Sequence, residues 1–148
     1  MGRYSVDACR IEKGFRHRGR DIGPDVTPRE AGLGFAVNWS QEFVGRPVLG
    51  AQHGAGVSRR LCLFAVEGAA LILHDEPIRE GGAVVGLSTS GARGACTGLT
   101  LALGLISVAR DARGHGGAAR PAPGAIASVV PGPGRAALRV VETGPHRP

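Results

Sequence analysis

Hydrophobic and polar positions follow one pattern before Arg59 and another after it. From Leu61 to Val66 apolar residues succeed one another without a polar break, which suits a strand buried on both faces. Leu99 to Val108 has the same character and predicts a second long strand. Pro77 to Arg79, a turn at Glu80, Gly81 and Gly82, and Ala83 to Ser88 predict a hairpin with glycine where positive φ is needed. A β domain is therefore expected from about residue 59 to 109.

The preceding stretch reads as short helices and loops. Ser5 as N-cap, Asp7 in the first turn, Lys13 in the last and Gly14 as C′ residue predict a helix over 6–13. Val6, Cys9 and the stem of Lys13 form its packed side, with Arg10 and Glu12 pointing elsewhere. The following loop carries Arg16, His17, Arg18 and Arg20 among glycines and a proline, partly balanced by Asp21 and Asp25. Thr27, Pro28 and Glu30 make a capping box with proline at N1, so a second helical turn is expected at Pro28. Leu33 to Val37 reads as a strand leading to Trp39, Phe43 to Gly50 as a short helix, and Gln52 to Ser58 as a glycine-rich linker.

Beyond Ala109 the chain holds six of its ten prolines and no aromatic residue. Two readings of 110–148 stay open, degenerate barrel strands at Ala125–Val130 and Ala136–Val141 or a disordered tail, with a shifted reading frame as one origin.

Composition removes several classes of function. The net charge of +6 suggests nucleic acid until it is located. From Arg110 onward six arginines face only Asp111 and Glu142, a local excess of +4, and no nucleic-acid motif or interleaved aromatics accompany it. Seventeen arginines against one lysine, with abundant glycine, alanine and proline, fit a GC-rich gene. The cysteines Cys9, Cys62 and Cys96 are odd in number and widely spaced, which argues for buried free thiols in a reducing compartment. With no apolar stretch near the ~20 residues of a membrane span and no signal-peptide core, the expectation is a cytoplasmic protein without a membrane partner. The histidines and acids form no metal-ligand spacing, His17 has no nucleophile or paired carboxylate at a motif distance, and no Gly-x-Gly-x-x-Gly turn is present.

The string from Arg10 to Leu33 joins Arg-x-Glu-Lys-Gly, an aromatic-Arg-His loop, Asp-x-x-x-Asp and Thr-Pro-x-Glu-Ala-Gly-Leu. In that order it resembles the C-terminal folate-binding part of the FAD-dependent dimethylglycine and sarcosine dehydrogenases, relatives of the glycine-cleavage T protein (aminomethyltransferase). The likeness continues through EFVGRPVL from Glu42, RRLCLFAVE from Arg59, DEPI from Asp75 and GGAVVGLSTSG from Gly81, and fades after Val108. It implies an α+β fold, the end of an α/β folate-binding core over 1–55 followed by a small C-terminal antiparallel β-barrel over 59–109, in a truncated frame. The family's catalytic aspartate would precede Met1 and its FAD would sit in a missing N-terminal part, so no catalytic residue is assigned.

The resemblance further implies tetrahydrofolate as ligand, with Glu12 accepting the pterin's paired donors in a planar contact, Arg10 orienting the loop beside it and Tyr4 walling the ring. Without the motif, Glu12 would read as a surface glutamate paired with Arg10, Lys13 or Arg16. The family often places a basic residue for the folate tail where Asn38 to Gln41 stand here. Two functions follow: part of a tetrahydrofolate-dependent one-carbon transfer protein, with a separately encoded N-terminal half as partner, or a non-catalytic folate-binding or accessory barrel module.

Overall fold

A computed structural model of the chain describes residues 2–67, 70–80 and 83–108, together with the backbone of strands 126–129 and 136–141. Two helices, α1 (Arg3–Glu12) and α2 (Arg46–Ala55), precede six strands: β1 (Arg59–Val66), β2 (Pro77–Glu80), β3 (Ala83–Arg93), β4 (Thr100–Ser107), β5 (Ile126–Val129) and β6 (Ala136–Val141). The strands close an antiparallel barrel in the order β1-β4-β3-β2-β5-β6. The fold is α+β, with the helical segment leading into a closed antiparallel barrel.

The unbroken apolar runs of β1 and β4 serve two packing surfaces at once. Cys62, Phe64 and Val66 alternate along β1 toward a cluster with Ile72, Ile78, Ala102 and Ile106, while Leu61 and Leu63 join Leu101, Leu103 and Ile11 in a second cluster. Period-two geometry divides the strand residues this way, and the second cluster forms where α1 lies against β3 and β4. Register runs continuously from Arg59 opposite Ser107 to Val66 opposite Thr100.

Helix α1 begins earlier than its sequence suggested. Gly2 is the N-cap and makes no side-chain cap, while Ser5 lies inside the helix and donates its N–H to Gly2 O at 3.1 Å. The C-terminal end follows expectation: Gly14 takes φ +67° and donates to Ile11 O, and Phe15 donates to Arg10 O, both at 2.8 Å. Those two bonds form a Schellman closure, which a side chain with Cβ would oppose. The packed face is not the expected one, since Val6 and Cys9 are exposed and Ile11 is buried.

The capping box forms as expected, and it makes a single turn. Thr27 N–H donates to Glu30 Oε2 at 2.9 Å and Glu30 N–H donates to Thr27 Oγ1 at 3.3 Å, before Gly32 at φ +71° ends the turn. Residues 34–36 are a 3₁₀ turn rather than the expected strand, because the Ala36 and Val37 N–H groups bond back three residues to Leu33 O and Gly34 O. Helix α2 extends to Ala55 and absorbs much of the expected 52–58 linker. Strand β3 runs to Arg93, five residues past its predicted end, and pairs with β2 as a hairpin whose turn at Gly81 and Gly82 lies outside the described residues. The disorder reading of the tail lies outside them too, apart from the β5 and β6 backbone.

Candidate functional site

The end of α1 meets the barrel through two carboxylates, Asp21 and Glu12. Asp21 follows the first loop and is buried. Its Oδ2 accepts from the Arg10 Nη1 and from the His17 N–H at 2.7 Å, and its Oδ1 accepts from Thr89 Oγ1 at 2.6 Å and Ser90 Oγ at 2.5 Å. Adjacent strand residues ordinarily face opposite ways, but a bulge between Ser88 and Ser90 leaves Thr89 unpaired against β4, so both hydroxyls reach the same oxygen. Four donors offset the cost of burying this charge.

Arg10 is held tightly by the same group. Its Nε donates to Asp7 Oδ1 at 3.1 Å and its Nη1 to Phe15 O at 3.2 Å, so the guanidinium faces the 15–21 loop. Arg16 laces the loop from the other side, donating to Gly14 O at 2.8 Å and to Ala31 O at 3.1 Å. Burial pushes the Arg16 guanidinium below its ordinary value, with the Asp21 charge opposing that shift.

Glu12, half-buried on the last turn of α1, turns toward the connection between β3 and β4. Its Oε1 accepts from Cys96 N–H at 3.0 Å, Thr97 N–H at 2.8 Å and Thr97 Oγ1 at 2.8 Å. Oε2 makes no bond among the described residues. The Thr97 amide, then its hydroxyl, hold the Glu12 carboxyl below the usual glutamate range, partial burial opposing them, and the Cys96 bonds add to the lowering. The group is an anion at neutral pH and acts only as an acceptor.

The three residues expected to bind ligand are thus placed differently. Arg10 and Glu12 end the same helix but serve separate contacts, the first the loop and the second the barrel. Tyr4 is exposed eight residues earlier, roughly 12 Å along the axis. None of the surface-pairing partners considered for Glu12 is the one found. Thr97 and Ser90 carry no local sequence signal, since they meet their carboxylates across 85 and 69 residues respectively. The thiols also differ from expectation: Cys62 is buried in the barrel, whereas Cys9 on α1 and Cys96 in the β3–β4 turn are exposed.

A separate surface cavity of about 720 Å³ is lined by Trp39, Glu42, Arg46, Pro47, Gly50 and His53. Arg46 donates to Trp39 O at 3.1 Å and pairs with Glu42, and the Trp39 ring lies 5.8 Å from that of His53. Helix α2 therefore brings a guanidinium to the 38–41 stretch, where no basic residue stands in the sequence.

A closed antiparallel barrel with a carboxylate-anchored helix against it defines a class of domain. Residues 59–143 match the glycine cleavage T-protein C-terminal barrel domain, and the chain belongs to that family. It is 39% identical over 87 residues to an aminomethyltransferase of Picosynechococcus, covering 57% of this chain and 24% of that protein. It is 38% identical over 105 residues to a probable aminomethyltransferase of Natronomonas pharaonis, covering 69% and 29%. Human mitochondrial sarcosine dehydrogenase is 37% identical over 107 residues, 71% of this chain and 12% of the enzyme. The crystal structure of the glycine cleavage system aminomethyltransferase T from Bartonella henselae superposes with a TM-score of 0.79 at 25% identity, over 93% of this chain and 37% of that one. The chain thus spans less than a third of the length of the three curated relatives. Among the described residues no helix is long and apolar enough to cross a membrane.

Proposed function

We propose that this chain handles reduced folate in a one-carbon transfer system of the dimethylglycine and sarcosine dehydrogenase type, as the C-terminal folate-binding portion. Glu12 carries the reading. An ionised carboxylate at a fixed helix end, with an oxygen that no described residue engages, is the acceptor that a pterin's ring N–H and amine require. Tetrahydrofolate supplies the nitrogen that takes up the one-carbon unit, and this chain's residues hold and orient it. Arg10 fixes the loop next to Glu12, and Tyr4 offers an exposed ring to a ligand extending along α1.

The planar contact through both oxygens is not open to a carboxylate whose Oε1 already accepts three bonds, so Oε2 is the contacting atom in this reading. FAD belongs to the flavin-binding part of the dehydrogenases and not to this segment. Exposed Phe35, Val44 and Val48 support a polypeptide partner that carries the rest of an aminomethyltransferase core. Free thiols support a cytoplasmic setting.

A second reading, a non-catalytic accessory barrel, draws on the same bonds, since three contacts to Glu12 also suit a latch between α1 and the barrel. Calorimetric titration of the full chain with tetrahydrofolate separates the two. Binding that falls with Glu12→Gln supports the folate site, and heat changes indifferent to the substitution leave only the latch.

A further inference from the structure

We propose that the β3–β4 turn positions the ligand-binding carboxylate: Thr97 and Cys96 pin Oε1 of Glu12, which aims Oε2 at the ligand's donors. The inference rests on the folate reading above and assigns Thr97 and Gly94 as positioning residues within it.

Three observations carry it. Two successive backbone amides and one hydroxyl converge on a single oxygen at 2.8–3.0 Å, which anchors Oε1 and leaves Oε2 without a partner among the described residues. The Thr97 hydroxyl also accepts the Leu99 N–H at 3.3 Å, so its own proton is directed to Glu12. The turn is rigid at its base, where Gly94 N–H donates to Leu99 O at 2.8 Å and Gly98 N–H to Gly94 O at 3.0 Å.

Gly94 adds a fourth. A Cβ there would overlap Glu12 Oε1 and Thr97 Oγ1, so the absence of a side chain reserves the space in which the carboxylate sits. Both the Glu12 carboxylate and the Thr97 hydroxyl must shift to admit such a methyl. Gly94→Ala therefore displaces the carboxylate from its bonds to the turn. On the helix side, the Schellman closure and the Arg10–Asp21 contact fix the stem of α1. A group 85 residues away in sequence thus completes the orientation of a residue on the first helix.

The test uses the full chain with Thr97→Val, Thr97→Ser and Gly94→Ala, and two readouts: the Glu12 carboxyl pKa from an NMR titration, and tetrahydrofolate affinity from calorimetry. Thr97→Val is expected to raise the Glu12 pKa toward the ordinary glutamate value and weaken tetrahydrofolate roughly tenfold. Thr97→Ser restores both. Gly94→Ala is expected to weaken binding similarly. Should Thr97→Val not fold, Gly94→Ala carries the same two readouts. Wild-type binding that neither substitution alters overturns the positioning role and leaves the folate reading standing. No tetrahydrofolate binding by the unmodified chain overturns the folate reading and the positioning role with it, whatever happens to the pKa.

Discussion

The barrel and the segment before it are held together by different physics. β1 and β4 contribute backbone pairing along their whole length and side chains to two apolar clusters, so the barrel's cohesion is spread over many residues. The 2–57 segment buries few large apolar side chains, chiefly Ile11, Leu49 and Val57, and is tied down by charged groups at points: Asp21 to Thr89 and Ser90, Glu30 to Arg59, Glu12 to Thr97. Spread apolar contact resists local change. Point attachment lets one residue decide where a functional side chain stands.

Removing a barrel side chain should cause the largest effect. Phe64 is buried at the centre of the barrel cluster, and Phe64→Ala is expected to cost about 3–5 kcal/mol in chemical denaturation, unfolding both regions together. Loss of the barrel alone, with the segment still ordered, would break the comparison.

Ser90→Ala should come next. It removes one charge-assisted bond to buried Asp21 and is expected to cost about 1.5–3 kcal/mol of attachment, read as faster hydrogen exchange in residues 10–22 than in β1 and β4. Equal acceleration in both regions would show that the segment is not separately anchored. Thr27→Ala removes the capping hydroxyl and is expected to cost about 1 kcal/mol, confined to the 27–33 turn.

Acid gives the mildest perturbation. The Glu12 carboxyl is held below its ordinary value of 4.5, so its contribution is full above that range and is lost as pH falls through the lower folded value. Acid unfolding curves of the unmodified chain and Glu12→Gln should therefore converge at low pH and separate above it. A separation that grows on acidification contradicts the lowered value.

These contrasts also explain what could be read in advance. Continuous apolar runs announced β1 and β4, and local chemistry announced Gly14 as a C′ residue and Thr27 with Glu30 as a capping box. The start of α1 departs from its local pattern because Ser5 resembles a cap yet makes none, and the burial of Ile11 has no local signal because its apolar partners lie in the barrel. Residues 34–36 carry a strand-like composition that Gly34 and three-residue hydrogen bonds turn into a 3₁₀ turn. Motif resemblance pointed to Glu12 but not to Thr97, since no local period encodes a bond between a helix end and a turn in a distant strand connection.

The central claim is that Glu12 grips reduced folate. Calorimetric titration of the full chain with tetrahydrofolate, unmodified and as Glu12→Gln, tests it most directly. The account predicts measurable binding by the unmodified chain and a loss of roughly tenfold or more on substitution. Equal affinities for the two proteins, or no binding by the unmodified chain, would contradict it.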